Sequence, residues 1–467
     1  MSDKTNKNPP DEAADQQLSM DNNNPSEANE QDESADYIHP AQDFSGLGRY
    51  VITTFKIGGK PKYHLLQSDN IVHSSDDLKE LCEKARVIFR TIPDAEMLRD
   101  KVSPKFIKDF GSPTWTPKPS IELYAELEAL LRKYIEFVDQ DWYAILPLWI
   151  MGTYIFKVFP AFPYLHVSGA MGSGKTKLCG LLERIVFNGL HTSSISEASI
   201  FRLVNSVSAT IIIDEAEHLC DKHLAGTLRT LLNAGYQRTG KAYRQEQQRD
   251  GSFVSRRFEL YAPKIIANIR GLEAVLKSRT IEVQMALATS TIGNTKVTDD
   301  TDYWMRLRED LYGFGLEHFS SIRVFHGYDE KARISLNRSN DLWSPLLAIA
   351  SIVFAKNEDR LDALRTMMLS KIDASDSSKL DDFALAIILG IRQLVTVKGF
   401  YSNEQILRSA KNYLLSNEAN SMRNNDVGYS LKNLGFRECK KRTSHGMTYE
   451  IDPEMVAAKI KFYKIEE

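Results

Sequence analysis

Cysteine is scarce in this sequence of 467 residues. The four that it has are widely spaced and form no C-x-x-C pair: Cys82, Cys179, Cys220 and Cys439. This pattern argues against a disulfide scaffold and against a cysteine zinc ribbon. Because so few cysteines are typical of a reducing compartment, we expect a cytoplasmic protein.

Long hydrophobic runs are also missing. The most apolar stretch, 143–156, has 14 residues, contains Pro147 and is followed by Lys157. A membrane-spanning helix needs about 20 apolar residues, and the N-terminus lacks the apolar run of a signal peptide. We therefore expect a buried core helix here and no membrane partner.

Neither sign of charge dominates, because the formal net charge is −3. Residues 1–40 nevertheless hold ten acids and two bases, a net charge of −8, which leaves +5 on the other 427 residues. Residues 1–43 are rich in polar residues, a composition that cannot offset the entropy of ordering. The sequence predicts a disordered acidic tail before a mildly basic folded part.

Short apolar strands alternate with helical segments in the middle of the chain. The strands are predicted at Tyr164–Ser168, Thr210–Ile213, Lys264–Asn268 and 280–285. This alternation predicts an α/β domain in which a largely parallel sheet has helices on both faces.

A phosphate-binding pattern, G-x-x-x-x-G-K-[ST], follows the first of these strands. It consists of Gly169, Ala170, Met171, Gly172, Ser173, Gly174, Lys175 and Thr176. The glycines let successive backbone N–H groups point at phosphate oxygens, and the following helix adds its positive dipole end. We expect this loop to bind ATP, with Lys175 on the β- and γ-phosphates and Thr176 on Mg²⁺.

Polar residues stand at the ends of the next strands. Asp214 and Glu215 follow the second strand. Asp214 is predicted to hold the Mg²⁺ shell, and Glu215 to orient and deprotonate the attacking water. Asn268 ends the third strand, where an amide can contact the γ-phosphate and that water. Arg279 precedes the fourth strand and is predicted to reach into a neighbouring subunit as an arginine finger.

Together these motifs resemble those of the AAA+ ring ATPases, and within them the superfamily-three helicases and the primase/helicase-associated ATPases of phages and integrative elements. Several flanking stretches are similar to that element-borne family: 148–153, 194–203, 232–236, 261–264 and 337–350. The resemblance covers about residues 120–350 and implies a Mg²⁺-dependent ATPase that forms a homo-oligomeric ring and acts on single-stranded or forked DNA. No primase or polymerase signature stands upstream, so priming activity is not implied.

A rival resemblance comes from the stretch Asp214-Glu215-Ala216-Glu217, which is similar to the DEAD/DEAH box of superfamily-two helicases. Those enzymes need a second RecA-like lobe. The residues after Arg279 have mostly helical patterns, which argues against such a lobe.

Basic residues concentrate between the second and third strands. The stretch 227–257 holds seven bases and two acids, with aromatic residues among them. Bases neutralise phosphates and aromatic rings stack on nucleobases. The alternative is a charged loop that completes the ATP site of a neighbouring subunit, with Arg256 and Arg257 as its cations. Three bases are predicted to contact DNA: Arg238, Lys241 and Arg244.

Residues 400–467 carry the pattern of two helices followed by a basic hairpin, which is the plan of a winged helix. Many winged helices bind duplex DNA through the second helix and the hairpin, while others bind only proteins. The predicted DNA contacts are Lys432, Lys440, Lys441 and Arg442.

The predicted organisation has five segments. These are a disordered acidic tail (1–43), a small α+β unit (44–118), a P-loop ATPase domain with a helical lead-in (119–290), a helical lid (291–399) and a winged-helix-like domain (400–467). The leading hypothesis is an ATP-driven ring motor on DNA, a replicative helicase or helicase loader of a phage or integrative element. The alternative is a nucleotide-dependent scaffold or regulatory switch that acts on a protein partner.

Overall fold

A computed structural model gives the fold. It describes residues 35–44, 50–56, 62–91, 93–94, 96–220, 226–248, 251–335, 338–377, 382–414, 419, 422–436, 440–443 and 446–463. The chain divides into two compact units, Met1–Trp115 and Thr116–Glu467, close to the boundary predicted at residue 118. Each unit has a hydrophobic core of its own.

The first unit mixes helices and strands. Its elements are β1 (Asp36–Ile38), β2 (Gln42–Phe44), β3 (Tyr50–Lys56), β4 (Lys62–Gln67), β5 (Ile71–Ser75), α1 (Leu78–Ala85), β6 (Val87–Phe89) and α2 (Pro104–Phe110). Strands β2 to β5 form an antiparallel sheet in chain order, and β1 pairs in parallel with β6. Helix α1 begins after Asp77, whose carboxylate accepts from the backbone N–H of Glu80 at 2.8 Å.

The disorder predicted for 1–43 is wrong at its C-terminal end, because β1 and β2 lie there. Ile38 is fully buried. The buried Asp43 carboxylate accepts from the backbone N–H of His39 at 2.9 Å and lies 3.2 Å from Arg90. These buried contacts order a segment whose average composition is polar. Composition alone does not predict such contacts. Residues 1–34 lie outside the described residues.

The second unit is built on a five-stranded sheet. Its elements to the last strand of that sheet are α3 (Ser120–Tyr134), α4 (Trp142–Thr153), β7 (Tyr164–Ser168), α5 (Lys175–Ile185), β8 (Gly189–Thr192), α6 (Glu197–Val207), β9 (Thr210–Ile213), α7 (Gly226–Ala234), β10 (Lys241–Gln247), β11 (Phe253–Glu259), β12 (Lys264–Asn268), α8 (Ala274–Lys277) and β13 (Thr280–Gln284). The strand order is β13-β7-β12-β9-β8, and every neighbouring pair is parallel. The predicted α/β class with a parallel sheet and flanking helices is confirmed, and it is consistent with a P-loop NTPase core.

The apolar stretch noted in the sequence forms α4. All of its residues are buried, so it is a core helix as predicted. The Trp149 indole N–H donates to the Pro163 carbonyl at 2.9 Å, and the Tyr124 hydroxyl of α3 donates to the Ala144 carbonyl at 3.0 Å. Across the described parts of the chain, no helix is long and apolar enough to cross a membrane.

Helices follow the sheet: α9 (Thr301–Tyr328), α10 (Arg338–Val353), α11 (Glu358–Ser377) and α12 (Asp382–Leu394). Helix α10 packs closely on α4, since a Cβ added at Gly152 would lie 3.0 Å from Cδ1 of Ile349. Helix α12 instead contributes Ile387 and Ile391 to a core that it shares with the C-terminal elements. The lid predicted over 291–399 therefore ends before α12.

The C-terminal part contains β14 (Gly399–Ser402), α13 (Asn403–Ala410), α14 (Asn424–Asn433), β15 (Lys440–Thr443), β16 (Gly446–Ile451) and α15 (Pro453–Tyr463). The three strands form an antiparallel sheet with β16 in the middle. A Cβ added at Gly390 of α12 would lie 2.6 Å from the backbone N of Ala410, so α12 and α13 touch backbone to backbone. Among the described elements, the order from α12 onward is helix, strand, helix, helix, hairpin, helix.

A candidate nucleotide site at one edge of the parallel sheet

Three adjacent strands end side by side in the second unit. Because β7, β12 and β9 are neighbours and parallel, the residues that follow them meet at one edge of the sheet. Asn268, the last residue of β12, lies opposite Ser168, the last residue of β7. Ile266 lies opposite Ile213, the last residue of β9. The structure thus brings together three predicted features: the phosphate loop, the acidic pair and the amide.

The loop between β7 and α5 has the form that phosphate binding requires. Gly169, Gly172 and Gly174 have φ angles of +152°, +79° and +87°. A Cβ on Gly169 would lie 2.4 Å from the carbonyl oxygen of Met285, so a larger residue does not fit. Gly174 is the left-handed N-cap of α5. The unpaired N–H groups of the first helical turn therefore face the loop, where an anion binds well.

Three side chains of this loop can take part in nucleotide binding. The Lys175 ammonium donates to the carbonyls of Gly169 at 2.7 Å and of Ala170 at 2.9 Å. Ser173 is buried, and its Oγ has no hydrogen-bond partner among the described residues. Such a hydroxyl is stabilised when a ligand supplies an acceptor, which fits a phosphate group. Thr176 is exposed in the first turn of α5, where its hydroxyl is accessible to a metal ion.

The two acids after β9 have different environments. Asp214 is 5% exposed, and its Oδ1 accepts from the backbone N–H of Glu215 at 3.0 Å. Glu215 is exposed and has a φ of +54°. This left-handed conformation costs a non-glycine residue roughly 1–3 kcal/mol and is concentrated at functional sites. The buried carboxylate suits a metal shell, and the exposed one suits a general base.

Glu217 ties the ends of two strands together. Its carboxylate accepts from the backbone N–H groups of Ile269 at 2.6 Å and of Arg270 at 3.3 Å. Both residues directly follow Asn268, so Glu217 joins the segment after β9 to the segment after β12. Sequence reasoning left this residue without a role.

Asn268 is held by a histidine that sequence reasoning missed. Its amide Nδ2 donates to the Gly271 carbonyl at 2.5 Å. Its Oδ1 therefore faces His166, whose Nε2 lies 2.9 Å away. Because Oδ1 can only accept, Nε2 carries the proton. The sequence shows only that a histidine interrupts an apolar strand. Which residue this histidine contacts depends on the order of the strands in the sheet.

The other side of the His166 ring faces a carboxylate. Nδ1 lies 3.7 Å from Oε1 of Glu282, and Oε2 of the same carboxylate lies 3.2 Å from the Lys277 ammonium. His166 is fully buried, and burial lowers its pKa. The neutral ring with its proton on Nε2 is thus the form that hydrogen-bonds Asn268.

Arg279 is not brought to the site of its own subunit. It precedes Thr280, which pairs with Tyr164 at the start of β7, so it lies at the opposite edge of the sheet. Five residues of strand span about 16 Å. The guanidinium donates to the Asn233 carbonyl at 2.8 Å and lies 5.1 Å from the centre of the Tyr236 ring. Contacts within the chain therefore hold Arg279 away from Lys175.

Strands β10 and β11 form an antiparallel hairpin within the predicted basic stretch. Ala242 pairs with Phe258, and both are buried with Phe201 of α6. Side chains alternate between the two faces of a strand. Tyr243 and Arg257 accordingly lie opposite each other on the other face, where both are exposed. The hairpin is anchored by one apolar pair and presents an aromatic and a basic side chain to solvent.

The three bases predicted near this hairpin differ in their contacts. Lys241 is exposed. Arg244 is half-buried, with its guanidinium 5.5 Å from the centre of the Phe201 ring. Arg238 is exposed, but it donates to the Lys157 carbonyl at 3.2 Å. Two of the three thus have contacts within the chain that sequence reasoning did not foresee, and the DNA contact of all three stays a prediction.

The predicted bases of the C-terminal part are partly described. Lys432 on α14 and Arg442 on β15 are exposed. Tyr429, one turn before Lys432, is 66% exposed. The side chains of Lys440 and Lys441 lie outside what the structure describes, so that part of the prediction is unchanged.

No protein family profile and no curated protein matches this chain. Among solved structures, it is similar to JCV helicase, with 14% identity and a TM-score of 0.23 over 52% of this chain and 61% of that chain. The A form apo structure of the NrS-1 C-terminal region matches with 11% identity and a TM-score of 0.30, over 86% of this chain and 96% of that chain. Cdc6p from Pyrobaculum aerophilum matches with 12% identity and a TM-score of 0.19, over 75% and 97%.

The chain spans 61% and 65% of the lengths of two JCV helicase chains that it matches. These neighbours include helicases and Cdc6p.

Proposed function

We propose that this chain is a Mg²⁺-dependent ATPase whose site is formed by the ends of β7, β9 and β12. The observation that carries the proposal is a phosphate loop that shares one sheet edge with a buried carboxylate, an exposed carboxylate and a buried amide. Hydrolysis of a bound nucleoside triphosphate uses each of these groups.

Each group has a distinct task in this proposal. Lys175 and the backbone N–H groups of the loop bind the β- and γ-phosphates. Thr176 and Asp214 hold Mg²⁺, which neutralises charge on the phosphates when it is bound. Glu215 orients the attacking water and takes its proton, and Asn268 donates to the γ-phosphate or that water.

The proposal includes assembly into a homo-oligomeric ring. Arg279 lies at the sheet edge opposite the phosphate loop. This position supports a role in the site of another subunit and not in that of its own chain. A contact between opposite edges of two copies is heterologous and generates a ring when it closes.

We further propose that the motor acts on DNA, as a replicative helicase or helicase loader of a phage or integrative element. The hairpin supports this, because the exposed Tyr243 can stack on a base while Lys241 and Arg257 neutralise phosphates. The helix–strand–helix–helix–hairpin order of the C-terminal part supports a winged helix, with Lys432 and Arg442 toward duplex DNA.

Phosphate release from ATP with Mg²⁺ tests the ATPase proposal. Lys175→Ala is expected to lower turnover by roughly a hundredfold or more, because a preorganised cation at the phosphates is lost. Glu215→Gln should still bind ATP and hydrolyse it slowly. Lys79→Ala is the matched control, since Lys79 is exposed on α1. Equal turnover by the Lys175→Ala protein and the control would contradict the proposal.

A further inference from the structure

Asp214 has a second set of neighbours besides the phosphate loop. The Sγ of Cys179, a ring nitrogen of His191 and a carboxylate oxygen of Asp214 all lie within 4.8 Å of one another. Cys179 comes from α5, His191 from β8 and Asp214 from the end of β9. Three elements next to the nucleotide loop therefore converge on one point with a sulfur, a nitrogen and an oxygen donor.

The imidazole is oriented as a metal ligand would be. Nε2 of His191 lies 3.4 Å from Oδ2 of Asp214, and Nδ1 lies 3.8 Å from Oε2 of Glu183. The same Glu183 carboxylate accepts from the backbone N–H of His191 at 3.3 Å. A carboxylate behind the imidazole fixes the ring and raises its basicity in many zinc sites.

The donor set selects the kind of ion. Thiolate and imidazole favour Zn²⁺ over Mg²⁺, which prefers oxygen ligands and keeps several waters. Three protein ligands leave one tetrahedral position of Zn²⁺ for water. Cys179 is buried and so is Asp214, while the His191 side chain is 20% exposed, so solvent reaches the imidazole.

We propose that Cys179, His191 and Asp214 form a Zn²⁺ site, and that its occupation inhibits ATP hydrolysis by withdrawing Asp214 from the Mg²⁺ shell. The first part rests on the three donors alone. The second part rests on the proposed ATPase function. Binding replaces the thiol S–H bond by an S–Zn bond and releases that proton to solvent.

The binding part is tested on the full chain with Co²⁺ as the spectroscopic probe and Zn²⁺ as its competitor. One equivalent of Co²⁺ should give a thiolate-to-metal absorption band, and Zn²⁺ should abolish it. Cys179→Ser should remove the band, while Cys82→Ser, the matched control in the first unit, should keep it. Glu183→Gln should weaken binding by roughly tenfold or more.

Because Cys179 is buried, His191→Asn provides a second variant at a partly exposed position. It should weaken Zn²⁺ binding without loss of the native circular dichroism spectrum. A wild-type protein without the band, or a Cys179→Ser protein that retains it, would overturn the site.

The inhibition part is measured as phosphate release at excess Mg²⁺ with added Zn²⁺. Turnover of the wild type and of the Cys82→Ser control should fall with site occupancy. The Cys179→Ser, Glu183→Gln and His191→Asn proteins should resist Zn²⁺, each relative to its own rate without Zn²⁺. If Zn²⁺ occupies the site and ATP turnover is unchanged, the inhibition part of the proposal is wrong. If the wild type shows the Co²⁺ band but no ATP turnover, the metal site is confirmed. The ATPase proposal is then contradicted.

Discussion

Single side chains hold the polar groups of the candidate site in place. Asn268 is fully buried, and its amide is fixed on one side by Gly271 and on the other by His166. The Glu217 carboxylate accepts from the two backbone N–H groups that follow Asn268. Because the amide is already held in place, little reorganisation energy is needed when charge develops nearby.

His166 is therefore expected to act as a positioning residue. His166→Ala removes the donor to Oδ1 of Asn268, a hydrogen bond worth about 1 kcal/mol. We expect kcat for ATP to fall by roughly fivefold, while the Kd for ATP stays within about twofold. His166→Gln, which can still donate, should recover part of the lost rate.

A double-mutant cycle separates this role from a general loss of stability. Asn268→Ala and His166→Ala should each slow hydrolysis, and the double variant should be about as slow as Asn268→Ala alone. Fully additive losses would mean that His166 does not act through Asn268.

At this scale the sequence predicted which segments meet at the candidate site better than it predicted the contacts of single side chains. Lys175, Asp214 and Asn268 follow apolar strands, a local pattern, and the structure brings the segments that carry them together. The contacts of His166 and Arg279 depend on strand order and on distant carbonyl groups. No local spacing encodes such contacts.

The two faces of the hairpin β10–β11 have different surroundings. The Ala242–Phe258 pair packs on α6, while Tyr243 is 64% exposed on the other face. Arg256 is paired with Glu246 at 3.2 Å, which reduces the net positive charge of its own face.

A double variant that combines Tyr243→Ala with Arg257→Ala is thus expected to bind DNA more weakly through the hairpin. Loss of one stacking side chain alone removes about 1–3 kcal/mol per base, so the single-stranded DNA concentration for half-maximal stimulation of turnover should rise by roughly tenfold. Tyr328→Ala, at an 86% exposed tyrosine on α9, is the control. A wild-type protein that DNA does not stimulate would favour a protein partner instead.

Close packing of α12 on α13 gives a stability prediction. Gly390→Ala would place a methyl group 2.6 Å from the backbone N of Ala410, and overpacking of this kind costs about 1–3 kcal/mol. Gly180→Ala, with nothing within 4 Å in α5, should instead stabilise by up to about 1 kcal/mol. Thermal unfolding measures both, and equal midpoints would contradict the packing argument.

Elements with strong apolar patterns were the easiest to predict. Strands β7, β9 and β12 stand where the sequence predicts them. Strand β8 has the sequence GLHT and is half-buried throughout, so it offers no apolar run to recognise. Helix α12 was predicted as a helix, but its membership of the C-terminal core depends on contacts that periodicity does not specify.

At the scale of the whole molecule, the two ends of the parallel sheet carry different groups. The phosphate loop, Asp214 and Asn268 lie at the carboxyl edge of the parallel sheet, and Arg279 lies at its amino edge. Arg279, which directly precedes β13, is therefore remote from the candidate nucleotide site of its own chain. In the proposed ring, activity that needs Arg279 depends on protein concentration, because Arg279 would act in the site of a neighbour.

Mixing two inactive proteins tests this arrangement. Arg279→Ala keeps its own Glu215, and Glu215→Gln keeps its own Arg279, so each is expected to hydrolyse ATP slowly alone. In rings of both proteins mixed at equal amounts, about a quarter of the interfaces join an intact Glu215 to an intact Arg279. Turnover should then recover toward about a quarter of the wild-type rate. If Arg279 served its own subunit, each chain would still lack one group and mixing would restore nothing.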